Sequence, residues 1–436
     1  MHLIIDKFAT ESFAIVVSLG LQGRLPMKLS PAFAIAGALV LAAGLPLLAQ
    51  QRPSSGPVAR YDMRAGTVSG MGGMGQMNPM SMMFGGGGSN AAQHELLLRL
   101  GSSSAPAGGS AKADHFMPPS ARLGRSVPLT YRSEPGTVDE MPQKPKGRLL
   151  IYWGCGEHAP KGQPVVIDFA RVAAGQMPPG VWTSATVRDW GPTAANSRTF
   201  GRWPNEDNKY VKPDSSLVGD HRVAGNYSPE ISFRLAKDFM APLSIRTRGM
   251  PSGATMASWT GIPDATGYLL FVMAGKQGPG GRDMGDMVMW TSSATRQFGG
   301  GLNDWLTPGQ VATLVRDRTI LAPTVGNCAV PAEVKRDGPD FRFGTLTAFG
   351  PMEEFSYPPR PADPRAAWNL QWTARIRHRS TTSWMEAEGM MMGGDEGMGE
   401  RGGRSGRSGQ EPACRPRRGG LGGMLGGALG MPGGGC

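Results

Sequence analysis

The sequence predicts a mainly β protein, with two β-sandwich-like domains in tandem between disordered Gly/Met-rich arms, and three observations lead there. Short apolar runs of strand length recur from about 124 to 384, separated by Gly, Pro, Asn and Asp. Few stretches repeat apolar residues at helical spacing. Gly (65) and Pro (37) together approach a quarter of the 436 residues, roughly twice ordinary usage. The 10 Trp and 15 Phe are nevertheless too many for a chain disordered throughout. The surplus glycine is therefore uneven, and residues 385–436 alone hold 19. A net charge of +11 favours acidic partners without choosing among nucleic acid, anionic lipid and acidic polysaccharide.

The first element is an export signal. Lys28 precedes an apolar stretch from Pro31 to Leu48, and the chain turns polar at Gln50-Gln51-Arg52. A basic residue, an apolar run and a small residue before a polar switch predict residues 1–49 as a signal peptide with an upstream extension, with cleavage expected after Ala49 and Ala42 and Gly44 offering a second position. The alternative is an uncleaved anchor, which the shortness of the run and Pro46 disfavour. Export to the periplasm or cell surface follows.

Residues 50–123 are expected to form a low-complexity arm, in which Met71, Met74, Met77, Met80, Met82 and Met83 cluster among glycines. Thioether sulfur is a soft ligand, so this set is a candidate Cu(I) or Ag(I) site; no other cofactor is indicated. The bland alternative is a Met/Gly-biased segment acting as an oxidant sink. Within the arm, Asn90-Ala-Ala-Gln93 resembles a capping box ahead of Leu96, Leu97, Leu98 and Leu100, predicting a short helix near 91–100.

The body opens at 124. Arg148–Trp153, Pro164–Phe169, Trp182–Trp190 and Glu230–Leu235 read as strands of a first β domain, 124–240. A second unit, 241–384, contains Leu243–Thr247, Ala254–Trp259, the turn Pro263-Asp-Ala-Thr-Gly267, Tyr268–Met273, Met287–Trp290 and the turn Leu306-Thr-Pro-Gly309. Over about 240–334 this resembles a fibronectin type III-like domain, which implies a sandwich with Trp259 on its second strand packed beneath Tyr268 on its third. The Val311–Ile320 run departs from that pattern. Phe341–Phe355 and Leu370–Ser380 read as a closing hairpin across the Pro358–Pro364 loop. In the second of these strands Trp372, Ala374 and Ile376 share one face and Arg375, Arg377 and Arg379 the other, so one face packs and the other is basic.

Residues 385–436 return to low complexity. Arg415, Arg417 and Arg418 extend the basic candidate surface, and the Gly-rich end, with Gly every four residues, could touch a membrane peripherally but is too short to span one. Export sets aside nucleic acid as a partner of these RGG-like elements. The four cysteines, Cys155, Cys328, Cys414 and Cys436, are even in number and suit an oxidising compartment. Three pairings exist; Cys155 with Cys328 in the body and Cys414 with Cys436 in the tail is preferred.

Enzymatic signals are weak. Gly70–Gly75 matches GxGxxG without the strand, helix and acid that a dinucleotide site needs. The histidines show no HxxxH spacing. Cys155 and His158 could form a nucleophile pair of a hydrolase-like enzyme, although a disulfide-bonded Cys155 fits better. The chain resembles Gly/Met-rich exported proteins of proteobacteria, a resemblance that implies no activity. Expected, then, is a non-enzymatic binding or scaffold protein of the cell envelope, contacting anionic components through Arg375, Arg377, Arg379, Arg415, Arg417 and Arg418. Soft-metal binding is the alternative, and Cys155/His158 chemistry the third.

Overall fold

Two long antiparallel strands, Phe341–Tyr357 (β15) and Trp372–Ala387 (β16), form the spine of the molecule. This is the closing hairpin expected from sequence. In the computed structural model, residues 56–71, 92–131 and 147–387 are described, apart from 177, 180–182, 184–186, 206, 208, 279–283, 299–301, 303 and 304. Ahead of the spine come β1 (Ala59–Gly70), β2 (Gln93–Ser102), β3 (Ala113–Phe116), β4 (Val127–Pro128), β5 (Arg148–Trp153), β6 (Val165–Asp168) and β7 (Thr199–Trp203). They continue with β8 (Gly219–Gly225), β9 (Ile231–Leu235), β10 (Ile245–Gly249), β11 (Thr255–Trp259), β12 (Gly267–Gln277), β13 (Met284–Thr291) and β14 (Asn327–Val330). The helices are short: α1 (Phe169–Ala173), α2 (Pro308–Arg316) and α3 (Ala332–Asp337).

Nine strands form one mixed sheet in the order β6-β5-β13-β12-β15-β16-β1-β2-β7. Two smaller sheets, β4-β3-β8-β9 and β10-β11-β14, cover different halves of it. Under the four-stranded sheet, Val223, Ile231, Phe233 and Leu235 pack on Tyr61, Met63, Leu98, Leu100, Ala374 and Ile376. Under the three-stranded sheet, Ala257, Trp259 and Val330 pack on Tyr268, Leu270, Val272, Trp290 and Leu346. The body is thus a pair of sandwich-like lobes built on one shared sheet. Strands from both sides of residue 240 enter that sheet.

The spine serves both cores from one face of the sheet, β16 giving Ala374 and Ile376 to the first and Trp384 to the second. Leu346 and Ala348 of β15 face the second core, whereas a bulge between Phe349 and Met352 shifts the alternation so that Phe355 faces the first. One extra residue moves every following side chain to the other face of a strand. On the opposite face of the sheet, α1 covers Ile151, Ile167 and Met289 through Phe169 and Val172, and α2 packs Val311 and Leu314 on Leu269 and Phe349.

Several expectations are corrected here. The segment expected as a helix near 91–100 is the strand β2: Leu96, Leu98 and Leu100 alternate into the core, and ten backbone positions pair with β1. The arm expected over 50–123 contains β1, β2 and β3, and Met63 is a core residue of β1. Among the described residues of 182–190 there is no strand. The Leu306–Gly309 turn is a helix start instead, in which Thr307 and Gln310 form a reciprocal capping box with Pro308 at the first helical position. The export segment, Met74–Met83, Cys414, Cys436 and Arg415, Arg417 and Arg418 lie outside the described residues.

Candidate functional site

The face of β1, β2 and β16 turned away from the first core carries a dense polar network. β1 contributes Arg60, Asp62 and Arg64, β2 contributes Glu95 and Arg99, and β16 contributes Arg375, Arg377 and Arg379. Strand pairing sets Asp62 between Arg99 and Arg375. The Asp62 carboxylate is fully buried; it accepts from Arg375 Nε at 3.1 Å and Nη2 at 3.2 Å, from Arg377 Nη1 at 3.1 Å, and from Arg99 Nη2 at 3.5 Å. Glu95 pairs with Arg64 at 3.1 Å and with Arg379 at 2.6 Å. To reach Arg379 it lies across Gly66, the β1 residue between them, where any Cβ would collide with its side chain.

Two segments roof this network. Asp189 accepts a bidentate pair from Arg99, at 2.8 and 3.3 Å, and the Gly191 N–H at 2.8 Å. Burial alone would raise its pKa, but these bonds outweigh it and hold the carboxyl below its ordinary value. Trp305 lies over Arg99, with the guanidinium 3.6 Å from the ring centroid. Burial lowers the pKa of Arg377 against the pull of Asp62.

The alternation read from sequence is what the strand has, yet the basic face is not an open surface. Arg375, Arg377 and Arg379 have side chains only 17%, 5% and 13% exposed and are held by Asp62 and Glu95. Carboxylates from a neighbouring strand and from a remote segment converted a docking face into an internal layer. What remains accessible is its rim: Trp190 is 60% exposed, with the Arg188 guanidinium 4.7 Å from a ring centroid of the indole and Arg60 hydrogen-bonded to the Trp190 carbonyl at 3.3 Å. Sequence reading passed over Arg60 and Arg188, and placed Trp190 in a strand.

Cys155 and Cys328 form a disulfide, joining the end of β5 on the large sheet to β14 on the three-stranded sheet. Gly154 N–H donates to the Thr291 carbonyl and Gly156 N–H to that of Ala329, so backbone bonds flank the link on both sides. The Cys155 thiol is consumed, which removes the nucleophile from the Cys155/His158 pair. His158 instead sets Nδ1 3.3 Å from Glu333 Oε1, whose partner oxygen accepts the Ala159 N–H at 2.9 Å. Of the methionines singled out as soft-metal ligands, Met71 is described and exposed.

Two histidines lie inside the first core. Tyr61 Oη is 2.7 Å from His115 Nδ1, His115 Nε2 is 3.0 Å from His221 Nδ1, and His221 Nε2 is 2.7 Å from the Leu217 carbonyl. Since a carbonyl only accepts, His221 Nε2 carries a proton and its Nδ1 must accept from His115. His115 Nδ1 then accepts from Tyr61. One tautomer of each ring satisfies the whole chain with both imidazoles neutral. Burial lowers the pKa of both, and pushes Tyr61 up.

Where the two cores meet, the sheet turns polar. Thr67 Oγ1 donates to the Met240 carbonyl and Ser69 Oγ to that of Leu243, tying β1 to the segment that joins the small sheets. A cavity of about 310 Å³ lies at this seam, lined by Lys237, Asp238, Met240, Asp264, Pro351 and His378 among others. Comparison with known protein families, with characterised proteins and with solved structures finds no match to this chain.

Proposed function

We propose that this chain is an exported, non-enzymatic binding or scaffold protein of the cell envelope. The observation that carries the reading is the Cys155–Cys328 disulfide across the second sandwich, because such bonds persist in oxidising compartments. It agrees with the export-like segment ahead of Gln50. The order of the last seven strands supports a fibronectin type III-like second lobe: β10-β11-β14 faces β13-β12-β15-β16, and Trp259 on the second of these strands packs on Tyr268 on the third, ring centroids 5.6 Å apart. Both lobes are then sandwiches whose shared sheet sets them in a fixed relation, as a scaffold requires.

Anionic envelope components are met by the rim of the arginine network and by Arg415, Arg417 and Arg418 of the tail, not by the internal Arg375, Arg377 and Arg379. A non-enzymatic role fits the engagement of Cys155 in a disulfide and of His115 and His221 in the core chain. Cell fractionation of tagged protein with thiol alkylation tests the reading. Expected is an envelope fraction in which Cys155 and Cys328 resist alkylation until reductant is added. Recovery in the cytosol with both thiols reactive would end it.

A further inference from the structure

We propose that Trp190, Arg188 and Arg60 form a binding platform for an acidic saccharide, a chain of uronate-like sugars carrying carboxylates. Trp190 is the one large apolar side chain exposed on segment 187–198 among the described residues. Its backbone is held although its ring is exposed. The Trp190 carbonyl accepts from Arg60 Nη1 at 3.3 Å and Arg375 Nη2 at 3.5 Å. On either side, the Arg188 carbonyl accepts from Gln310 Nε2 at 3.3 Å and the Gly191 carbonyl from Asn196 Nδ2 at 2.9 Å. An exposed indole on a segment tied to the rigid sheet needs little ordering on binding, which lowers the entropic cost of association.

The charge beside it is uncompensated. Arg188 stacks on the indole and Arg60 donates only to the Trp190 carbonyl and to Asn196, so neither pairs with a carboxylate among the described residues. The arginines behind them, Arg99 and Arg375, are by contrast neutralised by Asp62 and Asp189. A flat aromatic face suits the C–H face of a sugar ring, and guanidinium forks suit carboxylates. One indole offers too little apolar area to hold a bilayer, which favours a saccharide over a lipid surface. The proposal rests on the envelope reading only for where the ligand is met. A protein that binds but fractionates with the cytosol would sink that reading and leave the platform standing.

The test is calorimetric titration of the disulfide-intact full chain with oligogalacturonate, with maltooligosaccharide as the neutral counterpart and phosphatidylglycerol vesicles as the lipid one. Expected is saturable binding of oligogalacturonate alone, weakening as salt rises. Trp190→Ala should weaken it about ten-fold and Arg188→Ala about five-fold, in line with a stacked aromatic and one charge-assisted contact. Both side chains project from the surface, and unchanged thermal midpoints would show that the variants fold. The proposal falls if oligogalacturonate does not bind or maltooligosaccharide binds equally. Undiminished binding by both variants would place the contact in the basic tail, and Trp190-dependent binding of vesicles alone would make the ligand a lipid; either result overturns it.

Discussion

Asp62 shows how one carboxylate organises a surface that composition alone reads as basic. Three guanidiniums converge on its buried carboxylate, so Asp62→Asn keeps the shape and strips the compensation from Arg375 and Arg377, while Arg99 retains Asp189. Breaking such a buried set costs about 3–5 kcal/mol; urea unfolding of the variant should read a loss in that range, and a loss under 1 kcal/mol would show the network to be solvent-compensated. The histidine chain makes a second prediction. Burial depresses the folded-state pKa of His115 and His221 below the unfolded value of about 6.5. Their stabilising contribution is therefore complete above pH 6.5 and lost as pH falls from there towards the depressed folded values. Unfolding midpoints should drop between pH 7.5 and 5.5; a flat profile would mean that the folded protein takes up protons as readily as the unfolded chain. His94 and His378, also lowered by burial, add to the drop in the same window, whereas the acidic groups with lowered pKa, Asp189, Glu333 and Asp337 among them, act below about pH 4.5. None of these pairings was legible in sequence, since Asp62 meets Arg375 and His115 meets His221 only through the fold.

At the scale of elements, alternation was the reliable signal and composition the misleading one. β16 was legible because Trp372, Ala374 and Ile376 stand against three arginines. β2 has the same alternation in Leu96, Leu98 and Leu100, but Leu97 and the capping-box-like residues ahead of it made a helix equally readable. β1 was hidden more deeply, because Arg60, Asp62 and Arg64 give it a polar face that the fold buries. A strand buried on both faces, with one of them polar, lacks the continuous apolar run by which buried strands are found. The spine hairpin carries a test of close packing. Gly344 lies opposite Trp384, and the indole covers the space a Cβ would occupy. Gly344→Val should cost about 1–3 kcal/mol through overpacking, read as a lower thermal midpoint; a neutral substitution would show that the Trp384 ring swings away without loss.

For the molecule as a whole, sharing one sheet has a thermodynamic consequence. β15 and β16 supply side chains to both cores, and β1 is hydrogen-bonded to the seam, so neither sandwich closes without the other. Unfolding followed by near-UV circular dichroism and by far-UV signal should give a single coincident transition, and two separated transitions would show independent lobes. Reducing Cys155–Cys328, which spans 173 residues, should lower the stability of this unit by about 2–5 kcal/mol. A reduced protein as stable as the oxidised one would confine the bond to a local role. By itself the sequence determined the β class and the spine hairpin, because alternation and chain punctuation are local properties, while the Trp259 and Tyr268 pair came from what the fibronectin type III-like resemblance implies and the Cys155–Cys328 bond was one preferred pairing of three. Only the tertiary structure decided that the lobes share a sheet, that the basic face is internal, and that Trp190, Arg188 and Arg60 form its accessible rim. Which carboxylate meets which arginine depends on strands more than 300 residues apart, such as Asp62 and Arg375, and no local pattern records that pairing.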